Sequence, residues 1–444
     1  MSEDDDPMQR EHRSHPIKRA LHHVLLCIIS LLALLLAWGC APQMAMGPTP
    51  EPVTLRMAYR EHTRQLQPLI ADFHEKYPWI TVEVREVERF GNEIDLLMRT
   101  GELDIFIEGQ QALAYAQGGL LKPLDDIQLG EWAGIRKDYY KGTWEGLQIQ
   151  GQQWGIPAGL DMMVVYANVD QAEALQIDLP SEAWTLEDFL EFSLKMNYPQ
   201  RLPHTSSRLF GYCTTSQSID PIVFIYLHGG KIVDDLNAPF EVTLNDPYTI
   251  EAVQWYADLY NVYEVAPDPE VIRTTFRQGG IMEAAVRGAC GVWLGWYSSR
   301  GGQDMPFEWS SKWAMLPLPS DRAAFSLGDM EGYYITRECT HPGEALELLR
   351  FLSDHQAASG QKLPPRKSLV SAKAYEQQVG EEVAEVARTF SDDVFLLPAE
   401  SSVALQKVGG ELLATIERII VEDLDAAPEL LEKQDELHAA FQSP

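Results

Sequence analysis

The chain has 444 residues, of which 66 are acidic and 35 basic, so its formal net charge is −31 at pH 7. Such an excess of carboxylates disfavours nucleic acid and anionic membranes as partners, because both bind through clusters of lysine and arginine. A hydrophobic fraction of 45% and a charged fraction of 23% are typical of folded globular proteins, which excludes disorder for most of the chain. The length allows roughly two to four domains.

The N-terminus has the pattern of an export signal. Lys18 and Arg19 precede an apolar run over 24–38, and Cys40 follows it closely. A basic flank, a short apolar core and a small residue before the break are typical of export signals. Residues 1–39 resemble a bacterial lipoprotein signal, in which Cys40 would be lipidated and become the first mature residue. The alternative is an uncleaved anchor helix, and both predict a chain held outside the cytoplasmic membrane.

Two smaller features follow the signal. Residues 40–53 are rich in proline and are predicted to form a tether that lifts a domain off a surface. Beyond this tether the cysteines are Cys213, Cys290 and Cys339, whose spacing matches no metal site and allows at most one internal disulfide. We expect these residues to be buried free thiols.

The first part of the mature chain is predicted to alternate strands and helices. Strands at 53–59, 80–84 and 103–107 are interleaved with amphipathic helices at 65–77 and 94–99. This βαβαβ run predicts a parallel, doubly wound sheet, whose ligands bind beyond the carboxyl ends of the strands. No glycine-rich phosphate-binding motif occurs at those ends, so no nucleotide cofactor is predicted.

The ends of the first and third strands carry candidate ligand residues. Carboxylates, amides and arginine at such positions can bind polar groups of a solute. Their alternative role is that of solvated charges or amides in loops. The candidates are Arg60, Glu61, Glu108 and Gln110.

Further elements follow along the chain. A buried strand is predicted over 154–168, and Thr185 is predicted to cap a helix that has Asp188 at its third position. The stretch 375–441 is predicted to be almost entirely helical. The other predictions are helices at 112–117, 249–263, 276–289 and 344–352, and strands at 291–294, 313–319 and 332–336.

Nine short blocks, each weak by itself, carry the strongest signal through their order. They are Leu103–Ile107, Tyr115–Leu124, Gly155–Pro157 with Tyr166–Asn168, Trp184–Phe189, Asn245–Pro247, Phe276–Ala285, Gly295–Tyr297, Leu316–Pro319 and Leu363–Lys367. In this order they resemble the extracellular solute-binding proteins of ABC importers, in the maltose- and oligosaccharide-binding branch. The resemblance extends over roughly residues 54–440.

The resemblance implies a periplasmic-binding-protein-like α/β fold. Two doubly wound α/β lobes would be joined by a hinge, with the ligand cleft between them and crossings near Gly159, Ser326 and Pro365. Closure would exclude water, and only a ligand that contacts both lobes would favour the closed state. Lobe one would comprise 54–159 and 326–365, and lobe two 160–325 and 366–444.

The same resemblance implies residues in the cleft. Trp296 lies where the family carries a ligand-stacking tryptophan, and its alternative role is packing in the core at the hinge. Trp293 precedes it by three in a strand and should face the opposite side, where a core role is favoured. Asp161 matches an acid that reaches into the cleft, with a hinge salt bridge as the alternative. Asp329 and Glu331 are predicted in the loop at the second crossing, where the family often has glycines.

The predicted function is the capture of an extracellular carbohydrate and its delivery to the transmembrane subunits of an ABC permease. Aromatic faces stack on sugars, while planar polar groups bind their hydroxyls. We expect a monomer at the cell surface or in the periplasm, anchored through a lipidated Cys40. No cofactor, metal or nucleic acid is predicted.

The residues leave several alternatives open. Five acids against Arg60 in the candidate cleft would also suit a cationic solute such as a polyamine or an amino sugar. The pairs Tyr139–Tyr140 and Tyr333–Tyr334 could serve a ferric ion, although alternation in a strand should turn one of the latter into the core. A ligand-sensing subunit would share the fold. A glycosidase is disfavoured because the sequence contains no compact catalytic motif.

Overall fold

The computed structural model describes residues 51–60, 66–87, 91–125, 132, 134–181, 183–197, 209–214, 218–268, 270–271, 274, 280–300, 309–355, 361–391, 394–397 and 399–441. The predicted signal and Cys40 lie outside these residues, as do Glu61 and the side chain of Arg60. Within the described part of the chain, no helix combines the length and the apolar character needed to cross a membrane.

Strands and helices alternate through most of the described chain. The strands are β1 (Val53–Arg60), β2 (Ile80–Val87), β3 (Ile105–Gly109), β4 (Gln148–Ile149), β5 (Gln152–Gln153), β6 (Gly155–Asn168), β7 (Phe210–Cys213), β8 (Cys290–Trp296), β9 (Trp313–Leu316), β10 (Ser326–Ile335) and β11 (Val394–Leu396). The helices are α1 (Leu66–Lys76), α2 (Asn92–Arg99), α3 (Leu113–Gln117), α4 (Val169–Leu175), α5 (Leu186–Met196), α6 (Asp220–Leu227), α7 (Pro247–Asn261), α8 (Gly280–Val286), α9 (Pro342–His355), α10 (Lys367–Val370), α11 (Lys373–Val379), α12 (Glu381–Phe390), α13 (Ala399–Glu422) and α14 (Ala426–Phe441).

The predicted parallel unit is present around β1. This strand pairs in parallel with β2 on one side and with β3 on the other, which confirms the βαβαβ prediction. Helix α1 buries Leu66, Leu69 and Phe73, because residues three to four apart share one helix face. The ring of Phe73 meets that of Phe351 on α9 edge-on, with ring centroids 5.4 Å apart.

The long strand β6 links two groups of strands. Its 14 residues are all buried. Over 155–162 it pairs antiparallel with β10, which also pairs antiparallel with β3. Over 163–168 its partners are instead β8 and β9, and β7 joins β8 in parallel. The structure therefore combines parallel strand groups with the antiparallel strands β6 and β10, and β6 changes partners between Met162 and Met163.

The helix that follows Thr185 begins as predicted. The Thr185 hydroxyl accepts a hydrogen bond from the Asp188 backbone N–H at 3.2 Å, and the Asp188 carboxylate accepts one from the Thr185 N–H at 2.8 Å. This reciprocal capping box satisfies backbone donors that the first turn leaves without intrahelical partners. It orients α5 so that Phe189 enters the core, where its ring lies 5.5 Å from that of Phe224 on α6.

The stretch 375–441 is mostly helical, as predicted, and is interrupted by the short strand β11, which pairs in parallel with residues 326–328 of β10. One prediction of local structure is wrong: Asp329 and Glu331, predicted in a loop, lie inside β10. Neighbouring strands supply the backbone partners there, and this tertiary context overrides the local preference of the residues.

The prediction of free thiols is wrong for one pair of cysteines. Cys213 ends β7 and Cys290 begins β8, and the two form a disulfide with Cα atoms 5.5 Å apart. They are 77 positions apart in the chain, so only the tertiary structure brings them together. Cys339 is a buried free thiol, as predicted.

Candidate functional site

Three carboxylates and one ammonium lie together on and beside the paired strands β6 and β10. Asp161 on β6 is paired in register with Asp329 on β10. Glu331 is two residues further along β10 and therefore lies on the same side of that strand as Asp329. The Lys362 Nζ lies 3.3 Å from the Asp329 Oδ2 and 3.1 Å from the Glu331 Oε1. We call these four residues the carboxylate–lysine cluster.

Lys362 is held in place by its own backbone. The next residue, Leu363, exchanges two backbone hydrogen bonds with Leu160 of β6, at 2.9 and 2.8 Å. A Cβ atom on Gly159 would lie only 3.2 Å from the Lys362 Cβ and 3.3 Å from its Cδ. A glycine at this position therefore makes room for the lysine stem against the strand.

The three carboxylates favour the protonated form of Lys362. Burial works against the Lys362 ammonium, but Glu331, Asp161 and Asp329 outweigh it, so the pKa of Lys362 is raised. Tyr59, near the end of β1, adjoins the cluster, and burial together with the Glu331 charge raises the pKa of Tyr59 to about 12. At neutral pH the site therefore presents a charged ammonium and a neutral phenol.

Asp161 is buried beside the turn that follows Trp296. It is 3% exposed, its Oδ1 accepts a hydrogen bond from the Ser298 N–H at 3.0 Å, and its Oδ2 accepts one from the Ser298 hydroxyl. Burial raises the pKa of Asp161 to about 6, although Lys362 and Ser298 act in the opposite direction. Asp161 thus holds the turn 297–299 directly after Trp296.

A second link fixes the same turn. The Arg300 guanidinium donates a hydrogen bond to the Gln361 carbonyl at 2.6 Å and lies over the Tyr297 ring, 4.3 Å from its centroid. Ser298 thus joins the turn to Asp161 on β6. Arg300 joins the turn to Gln361, which directly precedes Lys362 and lies shortly before the crossing predicted near Pro365. Aromatic contact and charge-assisted hydrogen bonding both favour this arrangement.

The two tryptophans of β8 have different surroundings. Trp296 is partly exposed, and its carbonyl accepts a hydrogen bond from the Tyr166 hydroxyl at 2.7 Å. Trp293 is 1% exposed and stacks on the Tyr166 ring, with centroids 5.7 Å apart. The two side chains belong to different hydrophobic clusters, which agrees with the prediction of opposite sides. Trp293 therefore lies in the core.

The end of β3 places Glu108 and Gln110 beside β10. The Glu108 carboxylate accepts hydrogen bonds from the Gly109 N–H at 2.8 Å and from the Gln111 amide at 2.6 Å. The Gln110 amide donates to the Gly146 carbonyl at 2.8 Å. Glu108 is the register partner of Gly332, directly after Glu331, so it lies one strand away from the carboxylate–lysine cluster.

The structure brings together only some of the predicted site residues. Asp161, Asp329 and Glu331 come together, Trp296 is linked to them through Ser298, and Glu108 lies on the next strand. Arg60 ends β1 opposite Val87, and Glu61 lies outside the described residues. Lys362, Ser298 and Arg300 were not predicted from the sequence. Lys362 could have been found from its place directly before the block Leu363–Lys367, at a predicted crossing.

The tyrosine pair on β10 is unsuited to metal binding in this structure. Tyr333 and Tyr334 are 3% and 0% exposed and belong to different hydrophobic clusters. The Tyr334 hydroxyl donates to the Gly109 carbonyl at 3.1 Å. Among the residues that the structure describes, no group of three or more histidine, cysteine and acidic side chains could hold a metal ion.

Comparison with solved structures identifies the same architecture. An ABC substrate-binding protein from Listeria monocytogenes in complex with cycloalternan is 15% identical with a TM-score of 0.68, and the match covers 89% of this chain and 100% of that one. The sugar-binding protein MalE from the phytopathogen Xanthomonas citri is 16% identical with a TM-score of 0.66, covering 87% and 97%. UgpB from Mycobacterium tuberculosis in complex with glycerophosphocholine is 18% identical with a TM-score of 0.66, covering 88% and 98%.

These similarities establish the fold. It is the periplasmic-binding-protein fold, with two doubly wound α/β lobes joined by a hinge, as the sequence predicted. The family model described as "Bacterial extracellular solute-binding protein" matches residues 59–359, more than half of the 444 residues. By its fold and by this match, the chain belongs to the family of bacterial extracellular solute-binding proteins.

Proposed function

We propose that this protein captures an extracellular carbohydrate in the cleft between its lobes and delivers it unchanged to the transmembrane subunits of an ABC permease. The observation that carries the proposal is the partly exposed Trp296, held beside a fixed group of charged side chains. A flat aromatic face and planar polar groups are the two elements that a sugar requires. Family members bind solutes, so binding without turnover is the expected activity.

The similar structures support the choice of ligand class. The Listeria monocytogenes protein was solved with cycloalternan, and the Xanthomonas citri protein is described as sugar-binding. Because these chains share only 15% and 16% identity with this one, their ligands support a class of solute and no particular sugar.

Hinge closure would couple binding to transport. In the proposed division, lobe one comprises 54–159 and 326–365, and lobe two comprises 160–325 and 366–444. The strands β6 and β10 would then carry the crossings, with the carboxylate–lysine cluster on them. A solute stabilises the closed state only to the extent that it binds this state more tightly than the open one.

The proposed location is the cell surface or the periplasm. Residues 1–39 would be the signal, Cys40 the lipidated anchor and 40–53 the tether, with the mature chain acting as a monomer. The Cys213–Cys290 disulfide supports export, because such bonds persist mainly in oxidising compartments. A sensing subunit that reports to a membrane kinase would bind its solute in the same way.

A cationic solute is the second candidate. The observation in its favour is the group of carboxylates contributed by Asp161, Asp329 and Glu331. The similar protein from Mycobacterium tuberculosis was solved with glycerophosphocholine, a zwitterion that supports this candidate through its quaternary ammonium and not through its net charge. The two candidates differ in the net charge of the solute and can be separated by one experiment.

The experiment is a thermal-shift screen of the purified protein against neutral oligosaccharides and against polyamines and choline esters. A ligand that binds only the folded state stabilises it by about 2.7 kcal/mol at a hundredfold excess over its Kd. We expect a shift with one neutral sugar class, lost in Trp296→Ala and kept in Trp79→Ala, a partly exposed tryptophan outside the site. Shifts with cations alone would refute the carbohydrate proposal, and an undiminished sugar shift in Trp296→Ala would refute the role of Trp296.

A further inference from the structure

The carboxylate–lysine cluster contains its own cation. Asp161 and Asp329 are partners across β6 and β10, and Glu331 lies on the same side of β10 as Asp329. The Nζ of Lys362 contacts the Asp329 and Glu331 carboxylates at 3.3 and 3.1 Å. An ammonium in this position satisfies carboxylates that an incoming cation would otherwise bind.

Lys362 differs from an ordinary surface lysine. Its side chain is only 19% exposed, its stem packs against Gly159, and the backbone after it is bonded to Leu160 in both directions. A lysine that is already ordered by packing loses little further conformational entropy when it forms an ion pair. The exposed pairs on the protein surface lack this advantage and contribute little.

Removal of the ammonium would change the character of the site. Three carboxylates would then lie close together without the ammonium that contacts two of them. The phenols of Tyr59, Tyr333 and Tyr334 interact with these carboxylates and have raised pKa values, so they are neutral at pH 7, while the Arg300 guanidinium donates to the Tyr297 and Gln361 carbonyls. Like charges repel and attract any small cation that can reach them. With Lys362 present, a cationic solute must approach a fixed positive charge or displace it.

We propose that Lys362 is a specificity-determining residue, whose ammonium occupies the acidic end of the cleft and makes the site select neutral polyhydroxy solutes over cationic ones. An ammonium has three N–H donors, so Lys362 also offers a hydrogen-bond donor to a sugar hydroxyl next to its carboxylate partners. This inference rests on the proposed function, because it assigns the cluster to the wall of the solute cleft. It decides between the two candidate solute classes in favour of the neutral one.

The test compares Lys362→Met with a closely matched control. Lys433 on α14 also contacts two carboxylates, Glu411 and Glu436, and its side chain is 21% exposed, but it lies on the C-terminal helices away from the cluster. Spermidine and a series of neutral oligosaccharides are titrated by calorimetry at low ionic strength into the wild type, Lys362→Met, Lys362→Arg and Lys433→Met. The low ionic strength keeps the expected electrostatic attraction unscreened.

We expect Lys362→Met to bind spermidine at least tenfold more tightly than the wild type, with an affinity that falls as salt is added. Lys362→Arg and Lys433→Met should behave like the wild type. Equal spermidine binding by the wild type and Lys362→Met would overturn the inference, and so would the same gain in Lys433→Met. A wild type that binds neither sugar nor spermidine, beside a Lys362→Met variant that gains spermidine, would remove the carbohydrate proposal and retain the charge role of Lys362.

A second variant keeps the inference testable if Lys362→Met does not fold. The double change Asp329→Asn with Glu331→Gln leaves the ammonium without its two contacting carboxylates. We expect this variant to bind gluconate, an anionic sugar acid, at least tenfold more tightly than the wild type does. Unchanged gluconate binding in a folded double variant would contradict the proposed control of solute charge by this cluster.

Discussion

The buried carboxylate of Asp161 gives the clearest quantitative prediction. Replacement by asparagine keeps the shape of the side chain and removes its charge. The oxygen of the new amide could still accept a hydrogen bond from the Ser298 N–H, and its NH₂ group could donate one to the Ser298 hydroxyl, which can act as an acceptor. Asp161→Asn therefore isolates the effect of burying a negative charge beside the turn that follows Trp296.

The expected magnitude follows from the pKa of Asp161. Burial raises this pKa from 3.8 in the unfolded chain to about 6 in the fold, and one pKa unit corresponds to about 1.4 kcal/mol. The folded state thus binds the proton more tightly, so this contribution to stability is complete below pH 3.8 and is lost as the pH rises through about 6. The loss amounts to about 3 kcal/mol in all, of which about 2 kcal/mol falls between pH 4 and pH 7.

Urea unfolding measured from pH 4 to pH 7 tests this reasoning. The free energy of unfolding of Asp161→Asn, relative to the wild type, should rise by about 2 kcal/mol over that interval, because the variant has no carboxyl group to ionise. Asp178→Asn, which removes the same charge at an exposed position, serves as the control and should show no such rise. A difference between Asp161→Asn and wild type that stays constant with pH would refute the raised pKa.

Three further predictions concern stability. Loss of the disulfide in Cys213→Ala with Cys290→Ala should lower the free energy of unfolding by about 4 kcal/mol, since the bond closes a loop across 77 positions. Reductant should lower the Tm of the wild type and of Cys339→Ala but leave the Tm of the double variant unchanged. A wild type whose Tm does not change on full reduction would contradict this prediction. Thr185→Ala should lower the free energy of unfolding by about 1 kcal/mol, because it removes the capping box of α5. Thr185→Ser keeps the hydroxyl and should retain most of the stability. Equal denaturation midpoints for the two variants would disprove the role of the cap. Gly211→Ala should destabilise the protein by about 3 kcal/mol, because the new Cβ would lie 1.9 Å from the Ser193 carbonyl oxygen. The control Gly410→Ala on α13, where a Cβ meets nothing within 4 Å, should be neutral or stabilising by up to about 1 kcal/mol. A higher Tm for Gly211→Ala than for Gly410→Ala would be inconsistent with the packing described.

Much of the local structure follows from short stretches of sequence. The order of β1, α1, β2, α2 and β3 is visible in the alternation of apolar residues, since a strand and a helix face repeat with different periods. The capping box of Thr185 and Asp188 is visible because its partners are three positions apart. The family is visible through the order of its short blocks, and the match over 59–359 bears this out.

The candidate site was only partly visible in the sequence. Asp161, Asp329, Glu331 and Trp296 were found by their places in family blocks and at predicted crossings. Their environment was not found, because the bond from Ser298 to Asp161 spans 137 positions and the bond from Lys362 to Asp329 spans 33. No local pattern encodes contacts of this range.

The sequence by itself therefore determined the class of fold, its family and most of its helices and strands, because periodicity, caps and block order are properties of neighbouring residues. Only the tertiary structure decided the disulfide between Cys213 and Cys290, the strand conformation at Asp329 and Glu331, and the raised pKa of Asp161. It also placed the Lys362 ammonium among the carboxylates of β6 and β10. Pairing partners, burial and the distances between charges depend on which distant segments the fold brings together, and these determine the electrostatics of the site.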